Sequence, residues 1–224
     1  IVVEGSGGRI YLSPDASSEL SNNTKIADRK SKIDHWQGCT NCVVYGMTHF
    51  EDLYTERQFS SLSVLSETIG VVHELIVKDY QKNVSNNLGE RFADGGQDAI
   101  AYADAVCVYL AFALDKLADL SNVLCSWEPI AQCPRHLFGR QAIPMTWDFA
   151  ESNIFSKSSG SLHVIVRGIS GSLAKMGFPV IGGEGVAFQA DASSLKFPSE
   201  DSVISMDPPY YDNIPYSNIS DFFY

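Results

Sequence analysis

Two long stretches of the chain carry apolar residues every three or four positions, and this periodicity constrains the fold more than any other feature. Between Arg57 and Val84 the apolar series is Phe59, Leu62, Leu65, Ile69, Val72, Leu75 and Ile76. After the breaks Asn86-Asn87-Leu88-Gly89 and Asp94-Gly95-Gly96, the spacing resumes with Ala99, Ala103, Val106, Leu110, Leu114, Leu117 and Leu120. Each series predicts a helix with one buried face, and two such neighbours are expected to pack on each other. Thr55 with Gln58 three residues on, and Thr48 with Glu51, have the form of capping pairs at helix starts. Asp115 and Asp119 are expected on the solvated face of the second helix. Ser159 or Ser161 can cap a third helix running to Met176, where Gly177, Pro179 and Gly182-Gly183 stop it.

The flanks read differently. Ile1-Val2-Val3-Glu4 and Arg9-Ile10-Tyr11-Leu12 around Gly5-Ser6-Gly7-Gly8 predict a hairpin. Ser13 to Asn41 is polar and aperiodic, so a surface loop is expected there. Residues 125–160 mix Trp127, Pro129, Pro134, Gly139, Pro144 and Trp147, which suggests an ordered loop wrapped over a core. Residues 185–191 and 201–207 are two short apolar runs, each ending in Asp, and they read as buried parallel-type strands whose carboxyl ends carry function.

Composition narrows the function classes. The 224 residues are 45% hydrophobic with a formal charge of -11, so the chain can build a core but lacks bulk attraction for phosphates. Five cysteines and no secretory leader pattern suggest a reduced, cytoplasmic protein. No membrane partner is expected, since the nearest apolar candidate, Ala99 to Leu124, carries Asp104, Asp115, Lys116 and Asp119. Ile1 lies inside a strand-like run and Tyr224 ends an apolar segment without a cap, so the sequence reads as a piece of a longer chain.

The strongest chemical signal is Asp207-Pro208-Pro209-Tyr210, directly after the run Val203 to Met206. The exocyclic amine of a nucleobase is a poor nucleophile because its lone pair is delocalised into the ring. A catalyst that alkylates it must draw that pair out and aim it. The Asp207 carboxylate can accept one amine hydrogen and the Pro208 carbonyl the other, two prolines hold these acceptors, and Tyr210 can stack on the base. Such a base must first be flipped out of its duplex. The plainer reading of the tetrapeptide is a proline-stiffened turn.

The run from Ser205-Met206-Asp207-Pro208-Pro209-Tyr210 through Asn213-Ile214-Pro215-Tyr216 to Asp221-Phe222-Phe223-Tyr224 resembles the catalytic motif of the large prokaryotic adenine-specific DNA methylases that carry a zinc-ribbon insert. Tyr45 to Gln58, Tyr102 to Asp119 and Phe138 to Glu151 resemble further segments of that family. The resemblance implies an α/β fold: part of a Rossmann-like S-adenosylmethionine-dependent methyltransferase domain with a large helical segment. It implies residues 1–44 as the end of an upstream insert, 45–158 as a mainly helical segment with an ordered loop, and 159–224 as a partial methyltransferase core. It also implies Asp207, Pro208, Pro209 and Tyr210 as catalytic residues and Asp191 as a contact for the cofactor. The partners implied are DNA with a flipped adenine and proteins of restriction or defence systems.

The family's glycine-rich cofactor loop has no counterpart here. Glu4-Gly5-Ser6-Gly7-Gly8 is followed by a strand and turn where a helix N-terminus is required. Cys39-Thr40-Asn41-Cys42 is half of a zinc site at most, with His35 and His49 nearby, and no metal is assigned. Arg135, His136 and Arg140 beside Phe138 and Trp147 form the one basic cluster with aromatic neighbours, open to a phosphate contact or to internal ion pairs. Two other readings stay open: an amino-methyltransferase acting on cytosine, RNA or protein glutamine, and a non-catalytic nucleic-acid or protein interaction module.

Overall fold

The computed structural model describes residues 2–5, 8–11, 31–176, 187, 190, 191, 193, 194, 203–208 and 214–224. Strands β1 (Val2–Gly5) and β2 (Gly8–Tyr11) pair antiparallel, with Val2 opposite Tyr11 and Gly5 opposite Gly8, as the glycine-centred pattern predicts. The helices are α1 (Glu56–Asn83), α2 (Ala99–Leu120), α3 (Leu162–Lys175) and the short α4 (Tyr216–Ser220). Between α2 and α3, β3 (Trp127–Glu128) and β4 (Cys133–Pro134) form a minimal antiparallel pair.

Local chemistry accounts for the helix starts. Thr55 Oγ1 accepts the Gln58 backbone N–H while Gln58 Oε1 accepts that of Thr55, a reciprocal cap that satisfies two otherwise orphaned donors. At α3 the cap is one-way, Ser161 Oγ accepting the Val164 backbone N–H. The Thr48 and Glu51 pair does not form. Asp52 is the acid that reaches back, accepting from the backbone N–H of Thr48 and of His49 at the start of a 3-10 turn over Phe50–Leu53.

Helix α2 is central, packed on α1 and, less extensively, on α3. Its buried positions include Ala99, Ala101, Ala103 and Ala113, whose small side chains let neighbouring backbones approach. The buried apolar cluster lies elsewhere. Ile33, Cys42, Phe50, Leu53, Leu124, Leu137, Ile143 and Phe222 form it, and all come from loops, 3-10 turns and the 214–224 segment. Part of the stretch expected on the surface is therefore core, since Ile33 and Thr40 are fully buried.

Phe222 ties the 214–224 segment to this cluster. Its ring stacks on Tyr54 at 5.8 Å and meets Phe138 and Phe50 edge-on at 5.2 and 6.4 Å. Asn218 adds a hydrogen bond to Asp34. Truncation by Phe222→Ala is expected to cost about 3 kcal/mol, the usual scale for emptying a buried aromatic site. Hydrogen exchange should show the loss of protection as greatest at residues 216–224.

Among the described residues, α1 is the one helix long and apolar enough to cross a membrane by length and composition, with a window of mean hydropathy 1.3. The nearest candidate in the sequence reading was instead Ala99 to Leu124. In the fold α1 packs along α2, and His73 at its middle bonds Asp104 across that contact.

Candidate functional site

Asp207 and Pro208 lie in the exposed segment 203–208, which ends six residues before the anchored segment 214–224 begins. Pro209 and Tyr210 fall outside the described residues. Val203, Ile204 and Met206 are 96%, 53% and 81% exposed, and residues 203–208 are neither helix nor strand. The buried strand expected over residues 201–207 is thus not formed by its described part. A strand needs a partner for its backbone groups, and the described residues place none beside it.

Asp191 is also exposed, and it caps a local turn. Its Oδ1 accepts from the backbone N–H and the hydroxyl of Ser193, at 2.9 and 2.8 Å, and these bonds pull its pKa down. All its described hydrogen bonds lie within its own turn.

A nucleoside cofactor needs a backbone cradle at a helix N-terminus for its charged end. The described glycine pair nearest to one, Gly95-Gly96 before α2, is closed by its own chain. A side chain at Gly96 would collide with the carbonyls of Glu90 and Arg91, and the Gly96 N–H already donates to Arg91. Gly95-Gly96 is therefore not an open cradle, and Asp191 is the one described residue that the sequence assigns to the cofactor.

Cys39 lies beside, and Cys42 within, the 3-10 turn Asn41–Tyr45. Cys42 is fully buried in the apolar cluster, where desolvation raises its pKa, and no group of three metal-binding side chains occurs among the described residues. The basic cluster resolves into internal pairs. Arg135 is held by Glu128, His136 lies 3.4 Å from Asp119, and Phe138 packs on Phe222 and Phe223. Arg140 remains exposed.

Two acidic centres are built by contacts that the sequence pattern does not announce. Asp119, expected on a solvated face, is 6% exposed and organises the loop that follows α2. Its Oδ1 accepts from the Phe138 backbone N–H at 2.9 Å and its Oδ2 from Lys116 Nζ at 2.9 Å. Its carbonyl accepts from the Leu137 N–H and from the Cys125 thiol. The Tyr54 phenol lies nearby, and burial raises its pKa, so it stays neutral. A signal was present: an acid in the last turn of a helix opposes the macrodipole and needs another partner.

The second centre is Asp104. The Arg91 guanidinium, with the Phe92 N–H and His73, lowers its pKa from 3.8 to about 2, against a smaller opposing effect of desolvation. A depressed carboxylate stabilises the fold above its unfolded value and loses that contribution as pH falls through the folded one. The stability difference between the native chain and Asp104→Asn is therefore expected to be constant above about pH 5 and to shrink towards about pH 2. Thermal unfolding in a pH series checks this.

Compared with known proteins, the chain matches no family model, no curated protein and no solved structure.

Proposed function

We propose that this chain carries the base-binding motif of an S-adenosylmethionine-dependent methyltransferase acting on the exocyclic amine of adenine in DNA. One observation carries the reading: the sequence Asp207-Pro208-Pro209-Tyr210, continued in the pattern of the adenine-specific DNA methylases as far as Tyr224. The exposure of Asp207 and Pro208 is compatible with it, because both acceptors are open to a ligand.

In this reading Asp207 and the Pro208 carbonyl each accept one hydrogen of the amine. Both bonds localise the nitrogen lone pair and fix its direction, which is positioning and electrostatic catalysis rather than covalent catalysis. Tyr210 stacks on the extruded base. S-adenosylmethionine supplies an electrophilic methyl group, and Asp191 is the residue of this chain assigned to its adenosine end.

Because the sequence shows no strand, glycine-rich loop and helix in succession, the 224-residue chain alone is expected to bind S-adenosylmethionine more weakly than about 0.1 mM. Isothermal titration measures this, and tight binding would refute it. Activity is tested by expressing the gene with its native flanking coding sequence in a host that lacks adenine methylation. Nucleoside mass spectrometry should then show N6-methyldeoxyadenosine. Methyl groups on cytosine, RNA or glutamine instead would move the substrate assignment, and none at all would sink the enzyme reading.

A non-catalytic interaction module is favoured by a separate observation. Val64, Val71 and Leu75 on α1 and Val108, Tyr109 and Phe112 on α2 are exposed in the structure. Exposed apolar area on this scale is typical of partner surfaces.

A further inference from the structure

Helix α1 is apolar on two opposite sides. Ile69 and His73 face α2, where the Cys107 thiol lies 3.8 Å from the Ile69 carbonyl and Asp104 bonds His73. Val71 and Leu75 each follow by two residues, about 200° further round the helix, so they point away from α2. Val64, Val71 and Leu75 are 49%, 58% and 55% exposed. A helix that is apolar all round is normally covered on every side, and here the outer side is open.

The spacing on that outer side fits a helix. Val64, Thr68, Val71 and Leu75 step by four, three and four, the repeat of a coiled-coil seam, over about 16 Å. Thr68 returns its hydroxyl to the Val64 carbonyl at 2.6 Å, so the one polar group in the seam is already satisfied. Glu67 and Glu74, both exposed, lie one heptad apart along one edge of it, at the positions that set partner choice in paired helices. Glu74 has Lys78 at 3.9 Å, and among the described residues Glu67 forms no ion pair. A second copy would meet these acids with acids: Glu67 opposes Glu74 in an antiparallel pair, and Glu74 opposes Asp79 in a parallel one. The same carboxylates oppose an anionic lipid surface.

We propose that the outer face of α1 is the docking seam for an amphipathic helix of a partner protein, with aliphatic residues at its a and d positions and Lys or Arg beside them facing Glu67 and Glu74. The aliphatic side chains cover Val64, Val71 and Leu75, and the cations complement a chain of net charge -11. The seam goes beyond either reading of the whole chain, since no residue of the Asp207 motif takes part in it.

The test uses the whole chain and two labelled synthetic peptides of three heptads, both with Leu at a and d, one with Lys and the other with Glu at e and g. Fluorescence anisotropy should show saturable binding of the Lys peptide with a Kd of about 10 µM, and about ten-fold weaker binding of the Glu peptide. Val71→Asp should weaken the Lys peptide about ten-fold and leave the melting temperature within about two degrees, because the side chain is exposed. Glu67→Lys combined with Glu74→Lys should reverse the preference, the Glu peptide then binding about ten-fold more tightly than the Lys peptide. General adhesion of a cationic peptide would not reverse, because the doubly substituted chain is still acidic. No saturable binding of the Lys peptide, a preference that fails to reverse, or binding undiminished in Val71→Asp would each overturn the proposal. So would a dimer in sedimentation equilibrium that Val71→Asp dissociates, which would assign the face to a second copy, or retention on phosphatidylcholine vesicles that Val71→Asp abolishes, which would assign it to lipid.

Discussion

Replacing Asp207 by alanine is expected to lower adenine methylation about a thousand-fold and to leave the melting temperature within about one degree. The side chain is exposed, so the fold loses little when it goes. The reaction loses the charged acceptor that localises the amine lone pair, and removal of one preorganised group of this kind typically costs two to three orders of magnitude. Asp207→Asn keeps one acceptor oxygen without its charge and should fall between the two. The assay is N6-methyldeoxyadenosine content of host DNA, read beside circular dichroism of the purified variant. Methylation that persists unchanged in Asp207→Ala would remove this motif from the chemistry.

The largest expected effect on stability is at Asp119. Asp119→Ala strands the Phe138 N–H and takes the carboxylate away from the half-exposed Lys116 and His136. Charge-assisted bonds at a buried acceptor, together with an orphaned backbone donor, amount to about 3–5 kcal/mol. Urea denaturation should show a lower midpoint with an unchanged slope. Asp119→Asn retains an acceptor for the Phe138 N–H and is expected to lose about half as much. A loss below about 1 kcal/mol for the alanine variant would mean that the loop after α2 is held by its apolar contacts alone.

Several parts of the fold were legible because their cause is local. Thr55 with Gln58 and Ser161 announce α1 and α3 through side chains that satisfy nearby backbone donors, and the apolar spacing after Ala99 announces α2. The main apolar cluster was not legible. Ile33, Leu124, Leu137 and Ile143 sit in aperiodic segments and are buried by contacts distant in sequence, for which no short-range pattern exists. Asp119 was misread for the same reason, since its partners Phe138 and His136 lie in the next loop. At the candidate site the tetrapeptide pointed to a chemistry through its residue types alone. Bringing Asp191 beside Asp207 needs a sheet, and the apolar residues Val203 to Met206 found no strand to pair with among the described residues.

The seat of Phe222 also bears on how the chain reaches this fold. The α1 and α2 contact joins segments that follow one another, whereas the Asn218 to Asp34 bond spans 184 positions. Closing so long a loop costs chain entropy before any contact repays it, and high contact order of this kind slows folding. The helical hairpin is therefore expected to nucleate, and the aromatic seat to form late, with a low φ-value for Phe222→Ala as the outcome that checks it. If the seat forms late, Phe222→Ala is expected to speed unfolding and leave the folding rate nearly unchanged.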